Sequence, residues 1–140
     1  LHPAARFIGT MNYGYAGTKQ LNEALVSRFL VIDMPAQTEE SLKFIFKRMF
    51  PAAKPDAVEQ FAGVFLDIQL KAMNGEISTK SLDLRGLLAA MKIVSAGLSP
   101  WKALQMGVVN KTFDAFEKEI IEDIVRTRIP KDWTKEDVYE

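Results

Sequence analysis

Arg6-Phe7-Ile8-Gly9-Thr10-Met11-Asn12 is a short apolar run that ends on a polar side chain. Behind it come the loop Tyr13-Gly14-Tyr15-Ala16-Gly17-Thr18, the segment Leu21 to Arg28, and a second apolar run, Phe29 to Met34. Neither run alternates apolar with polar residues. Each therefore reads as a strand covered on both faces, as in a parallel sheet. The 12–28 connection holds a short helix, roughly Leu21 to Ser27, so the unit reads as a crossover between two parallel strands. Two strands alone make a poor sheet. A chain that opens on Leu1 and leads straight into a strand is expected to be a piece of a longer protein.

Pro35 ends the second strand, and the pattern behind it is helical. Thr38 is an N-cap, with Glu39 and Glu40 placed where the helix dipole favours acids. Leu42, Ile45, Phe46 and Met49 form the stripe of that helix. Pro51 and Pro55 close it and open the next, whose stripe is Val58, Phe61, Phe65 and Ile68, and which ends near Met73 before Asn74-Gly75. Residues 76–80 are a linker. A third helix spans about 81–96, with Leu84, Leu87, Leu88, Met91 and Val94 on one face and Gly97 as its stop. Ser99-Pro100 restarts a short helix carrying Trp101, Ala103, Leu104 and Met106. Thr112 is expected to cap the last long helix, with Phe113, Phe116, Ile120 and Ile124 as its core stripe. The charged residues 131–140 are expected to be mobile, with Trp133 available as a pin. The expected fold is mainly α: a remnant of an α/β core over 1–35, a bundle of four to five helices over 36–130, and a charged tail.

Composition narrows the chemistry. The chain has 140 residues, 48% of them hydrophobic and 26% charged, the profile of an ordinary globular protein. Its 18 Lys and Arg balance 18 Asp and Glu, which argues against a generic grip on nucleic acid. With no cysteine and one histidine, His2, neither a disulfide framework nor a His-rich metal site can form. No apolar run is long enough to span a membrane, and Leu1-His2-Pro3 is not expected to open a secretory leader.

Four places could carry chemistry. Gly14-Tyr15-Ala16-Gly17-Thr18-Lys19 suggests a phosphate loop, but two residues separate the glycines where four are needed, and Thr precedes Lys. It is either a plain surface loop or a contact to a partner or threaded substrate. Asn12, at a strand end, is either a turn former or a group that orients a water or a phosphate oxygen. Arg28 either snorkels over the sheet edge or offers its fork to a phosphoryl group. Arg85, in the first turn of the third helix, sits where the dipole disfavours a cation. It faces solvent, pairs with a carboxylate such as Asp83, or awaits an anion. Glu39-Glu40 and Glu122-Asp123 read as cap and solvated-face charges. Tyr13, Tyr15, Trp101 and Trp133 read as packing residues.

His2-Pro3, Arg6-Phe7, Gly9-Thr10-Met11-Asn12, Tyr15-Ala16-Gly17-Thr18, Leu21-Asn22-Glu23-Ala24-Leu25 and Ser27-Arg28-Phe29 occur in this order at close spacing. The series resembles the second half of an AAA+ ATPase module. It is most similar to the MoxR-like, dynein-related group that includes the NorQ/CbbQ-type activators and midasin. Tyr13 stands where that group commonly has proline. Ser81-Leu82-Asp83-Leu84-Arg85, followed by Gly97 to Ala103, resembles the group's helical lid more loosely. The resemblance implies that Asn12 is sensor 1, that Arg28 is the arginine finger reaching a neighbouring subunit's ATP, and that Arg85 is sensor 2. It implies ATP and Mg2+ as cofactors of the intact protein, and a homo-oligomeric ring, expected to be a hexamer. It also implies a von Willebrand factor A-domain partner, a client that is remodelled, and a cytoplasmic location. The family's Walker A and Walker B motifs precede sensor 1 and neither occurs here, so these residues alone are not expected to hydrolyse ATP. Two rivals stand beside this reading. One is a stand-alone helical interaction module with no nucleotide role. The other is a helix-turn-helix DNA binder around residues 81–110, which the zero net charge disfavours.

Overall fold

The computed structural model describes residues 2–11 and 22–140, which fall into two units, Leu1–Pro35 and Ala36–Glu140. In the first unit a single helical turn forms, α1 (Glu23–Val26), begun by the Asn22 side chain accepting from the Ala24 amide at 2.8 Å. The helix expected over 21–27 is thus one turn long. The two expected strands do not form: 6–11 and 29–34 carry no ladder hydrogen bonds among the described residues. The reason is the absence of cover. A strand with two apolar faces is held by neighbours on both edges and layers on both faces, whereas Leu30 is 98% exposed and Ile8, Ile32 and Met34 are also open.

The second unit is a helical bundle and holds all of the buried core among the described residues. α2 (Glu39–Met49) starts at Thr38, where Thr38 and Ser41 form a reciprocal capping box. Leu42 and Phe46 are buried, but Met49 is exposed and Ile45 half-buried, so the inward stripe is narrower than its spacing suggested. α3 (Pro55–Met73), with Pro55 at its first turn, is the central element, contacting α2, α4, α6 and α7. Val58, Phe61, Phe65 and Ile68 are buried as the spacing predicts, and so are Ala57, Ala62 and Val64 on its flanks. A helix covered on several sides is apolar beyond one stripe.

A 3₁₀ turn (Thr79–Ser81) leads to α4 (Leu84–Ser95), which buries Leu87, Met91 and Val94. Gly97, at φ 109°, takes the left-handed conformation that stops it. α5 (Pro100–Gly107) follows and packs on α4. Their crossing is unusually close: a Cβ built on Gly86 would lie 2.1 Å from the Gly107 carbonyl oxygen, and one on Gly107 would lie 2.6 Å from that of Gly86.

Two expectations fail in the last third. α6 (Ala115–Arg128) is capped by Asp114, whose carboxylate accepts from the Glu117 amide at 2.9 Å, not by Thr112. Its core face is Ile121, Ile124 and Val125, while Phe113 and Phe116 are 97% and 67% exposed. With the cap at Asp114, Phe113 precedes the helix, and Phe116 lies within it on the exposed side. Residues 131–140 are docked, not mobile: α7 (Lys135–Val138) forms, and Val138 and Tyr139 are buried. Trp133 is half-buried against the core, and Lys131 lies 4.8 Å over the Trp101 ring. No helix of the described residues is long and apolar enough to cross a membrane.

Candidate functional site

Arg85 is best placed by what surrounds it. Asp83 caps α4, its Oδ1 accepting from the Gly86 amide at 2.9 Å and its Oδ2 from Lys111 Nζ at 2.6 Å. The carboxylate nearest in sequence is therefore committed elsewhere. Arg85 is exposed in the first helical turn, and among the described residues no carboxylate pairs with it. Of the three readings open to it, pairing with Asp83 is removed. A cation is left at the positive end of a helix dipole, an arrangement that an anion would relieve.

The start of α4 is anchored from two directions. On one side, Glu117 in the first turn of α6 accepts from the Ser78 amide (2.9 Å), Ser78 Oγ (3.1 Å) and Ser81 Oγ (3.3 Å). On the other, the Gly86–Gly107 crossing and the Lys111–Asp83 pair hold it to α5 and the turn Val109–Lys111. Glu117 had no signal of its own in the sequence, because an acid in a first helical turn is ordinary. Asp67, inside α3, and Arg128, in the last turn of α6, were missed because neither carries a local sign of a partner on another helix. Arg128 donates to both oxygens of Asp67 at 2.8 and 3.1 Å, its guanidinium lying against Gly63. That pair ties α6 to α3, and the Asp67 hydrogen bond raises the Arg128 pKa over the opposing effect of burial.

Burial alone would raise the Asp83 pKa. The Lys111 and Gly86 hydrogen bonds outweigh it and hold the carboxyl below its ordinary value. Because the folded pKa is depressed, the stabilisation is present above the unfolded pKa. It is lost as pH falls through the folded value. Asp83→Asn is therefore expected to lower the melting temperature at pH 7 and to narrow the difference between pH 7 and pH 3. An unchanged difference in calorimetric melts would show that Asp83 does not contribute.

Arg28 lies in the other unit. It follows α1, and its guanidinium donates back to the Ala24 carbonyl of that turn. It is exposed, and no carboxylate among the described residues pairs with it. Asn12 and the Tyr13–Thr18 loop lie outside the described residues. Arg28 and Arg85 belong to different units, each described by itself.

No protein-family model matches the chain, and no solved structure does. Over 120 residues, 86% of the chain, it is 32% identical to the uncharacterized protein YojN of Bacillus subtilis (strain 168). Over 123 residues it is 25% identical to the uncharacterized protein SH1500 of Staphylococcus haemolyticus and 27% identical to a Staphylococcus aureus (strain NCTC 8325) protein, also uncharacterized. These alignments cover 39% of YojN and 46% of each staphylococcal protein, so the chain spans less than half the length of the curated relatives it matches.

Proposed function

We propose that this chain supplies the C-terminal part of a MoxR-type AAA+ ATPase module: sensor 1 (Asn12), an arginine finger (Arg28) and a sensor 2 arginine (Arg85) on a helical lid. The observation that carries the reading is Arg85, a solvent-exposed cation without a carboxylate partner among the described residues, held at a rigid helix start. An ATP phosphate is the kind of anion that position would take. The ordered series from His2 to Phe29 adds to it. In this reading, runs 6–11 and 29–34 are two strands of a parallel sheet whose other strands come from the rest of a longer protein. The exposure of Leu30, Ile32 and Met34 and the greater length of the relatives both favour that.

The chemistry is metal-assisted phosphoryl transfer in a subunit ring. Mg2+ bound with the nucleotide would neutralise phosphate charge; Asn12 would orient the attacking water, Arg85 would hold the nucleotide against the lid, and Arg28 would serve the neighbouring subunit's ATP. The ring acts on a client, with a von Willebrand factor A-type partner. The test is nucleotide binding by a protein of the relatives' full length. Arg85→Ala is expected to weaken binding of a fluorescent ATP analogue about tenfold, the worth of one charge-assisted contact. Equal binding by the variant overturns the role of Arg85. A full-length protein that binds no ATP at all overturns the ATPase reading.

A further inference from the structure

Glu117 departs from a local rule at the start of α6. Asp114 caps that helix, and Glu117 stands at the third helical position. From there a glutamate ordinarily reaches back to the backbone amide of the cap residue. One half of that arrangement is present, because the Glu117 amide donates to Asp114 Oδ1 at 2.9 Å. The side chain goes elsewhere. Its Oε1 accepts from the Ser78 amide at 2.9 Å, and its Oε2 accepts from Ser78 Oγ at 3.1 Å and Ser81 Oγ at 3.3 Å. An acid placed to serve its own helix serves another element instead.

That element is the turn Thr79–Ser81, which leads directly into α4. Ser81 is buried, and its amide closes the turn on the Ser78 carbonyl at 3.1 Å. The Asp83 amide then donates to the Ser81 carbonyl at 3.0 Å, so the turn and the N-cap of α4 share hydrogen-bonded backbone. Arg85 follows that cap by two residues. At its far end α6 is itself fixed, where Arg128 pairs with Asp67 of α3. The start of α4 is thus referred to the central helix of the bundle through α6, and Glu117 is the link.

We propose that Glu117 is a positioning residue for Arg85. It sets the direction from which the guanidinium meets an ATP phosphate, and it does not touch the nucleotide itself. The inference rests on the nucleotide reading of Arg85 given above and adds the group that aims the side chain. A planar fork binds a phosphate well only when it is aimed, so a helix start free to tilt would keep the charge and lose the contact. Lys111 is the weaker hold, since it grips Asp83 by an exposed ammonium, whereas Glu117 is half-buried and holds one turn through three hydrogen bonds. Glutamine at this position separates shape from charge. Its amide oxygen still accepts from a backbone amide, and its NH2 group donates to serine hydroxyls, which accept as well as donate.

The experiment titrates a fluorescent ATP analogue into a protein of the relatives' full length carrying Glu117→Ala, Glu117→Gln, Arg85→Ala, or Glu117→Ala and Arg85→Ala together. Glu117→Ala should weaken binding about threefold or more, and Glu117→Gln should stay within about twofold of the unaltered protein. In the Arg85→Ala background, Glu117→Ala should change nothing further, because the side chain it aims is gone. A purely structural role would weaken both backgrounds equally, and that result overturns the proposal. So does unaltered binding by a folded Glu117→Ala protein, or a loss in Glu117→Gln as large as that in Glu117→Ala. If Glu117→Ala does not fold by circular dichroism, Ser78→Ala serves in the same cycle, with a smaller loss expected. Failure of both to fold overturns the positioning role. Weakening by Arg85→Ala without weakening by Glu117→Ala sinks this inference alone. A full-length protein that binds no ATP, or an Arg85→Ala protein that binds it normally, removes the nucleotide reading of Arg85 and this inference with it.

Discussion

Gly86→Ala is expected to lower the melting temperature of the Ala36–Glu140 unit by roughly 10 °C or more, the shift that a loss of about 2–3 kcal/mol gives in a domain of this size. The sign is informative. In an exposed helix interior, alanine is more favourable than glycine by about 1 kcal/mol. A substitution that should help α4 in isolation must instead harm the bundle. The added methyl would lie 2.1 Å from the Gly107 carbonyl oxygen, 2.6 Å from an Asp83 carboxylate oxygen and 2.9 Å from Lys111 Nζ. Two of those atoms end flexible side chains and can move, but the carbonyl belongs to the backbone of α5. Relief requires α4 and α5 to separate, which also disturbs the helix start on which Arg85 sits. Gly107→Ala should act in the same direction through the Gly86 carbonyl, 2.6 Å from its built Cβ. Calorimetric melts of both variants and of Ala89→Gly, on the exposed side of α4, would separate collision from propensity. A Gly86→Ala protein more stable than its parent would refute the close crossing.

The sequence announces the helices of the second unit well, because caps, prolines and glycines act locally. Thr38, Pro55, Gly97 and Pro100 each end or begin an element where their chemistry predicts. Helical spacing also found Val58, Phe61, Phe65 and Ile68 of α3 and Leu87, Met91 and Val94 of α4, although α3 is buried beyond that one stripe. On α6 it found Ile120 and Ile124 but not the exposure of Phe113 and Phe116, because Thr112 and Asp114 can both cap and the sequence does not choose between them. With Asp114 chosen, the stripe starts at Ile120 and Ile121 and leaves two aromatics outside. Residues 131–140 misled for another reason. Their charges are real and mostly exposed, but two apolar residues, Val138 and Tyr139, suffice to dock them. The strands of the first unit do not appear among the described residues because an apolar run states a need for cover without supplying it. Of the candidate site, Arg85 was legible as an ill-placed cation. The groups that anchor the start of its helix, Glu117 through Ser78 and Ser81 and Lys111 through Asp83, come from other elements and carry no local sign.

Arg28→Ala, made in a protein of the relatives' full length, is expected to cut ATP turnover by about 10³-fold or more while leaving nucleotide affinity within a few-fold. The separation of the two effects follows from what a trans arginine does. Its guanidinium interacts with charge that develops during transfer, so its loss falls on the transition state and spares the ground state. The structure supplies the premise that Arg28 is available. Its guanidinium is exposed, and its hydrogen bond goes to the Ala24 carbonyl, which occupies part of a five-donor fork and neutralises none of its charge. Arg28→Lys keeps the charge but not the planar fork, and should recover little of the rate. Mixing provides the decisive arm. If Arg28 acts across a subunit boundary, a variant with intact Arg28 but no nucleotide binding of its own should restore turnover at sites of the Arg28→Ala subunits in mixed rings. A cis-acting Arg28 gives no such restoration. Normal turnover by Arg28→Ala alone removes the arginine-finger assignment and leaves Arg85 as the one cation tied to the nucleotide.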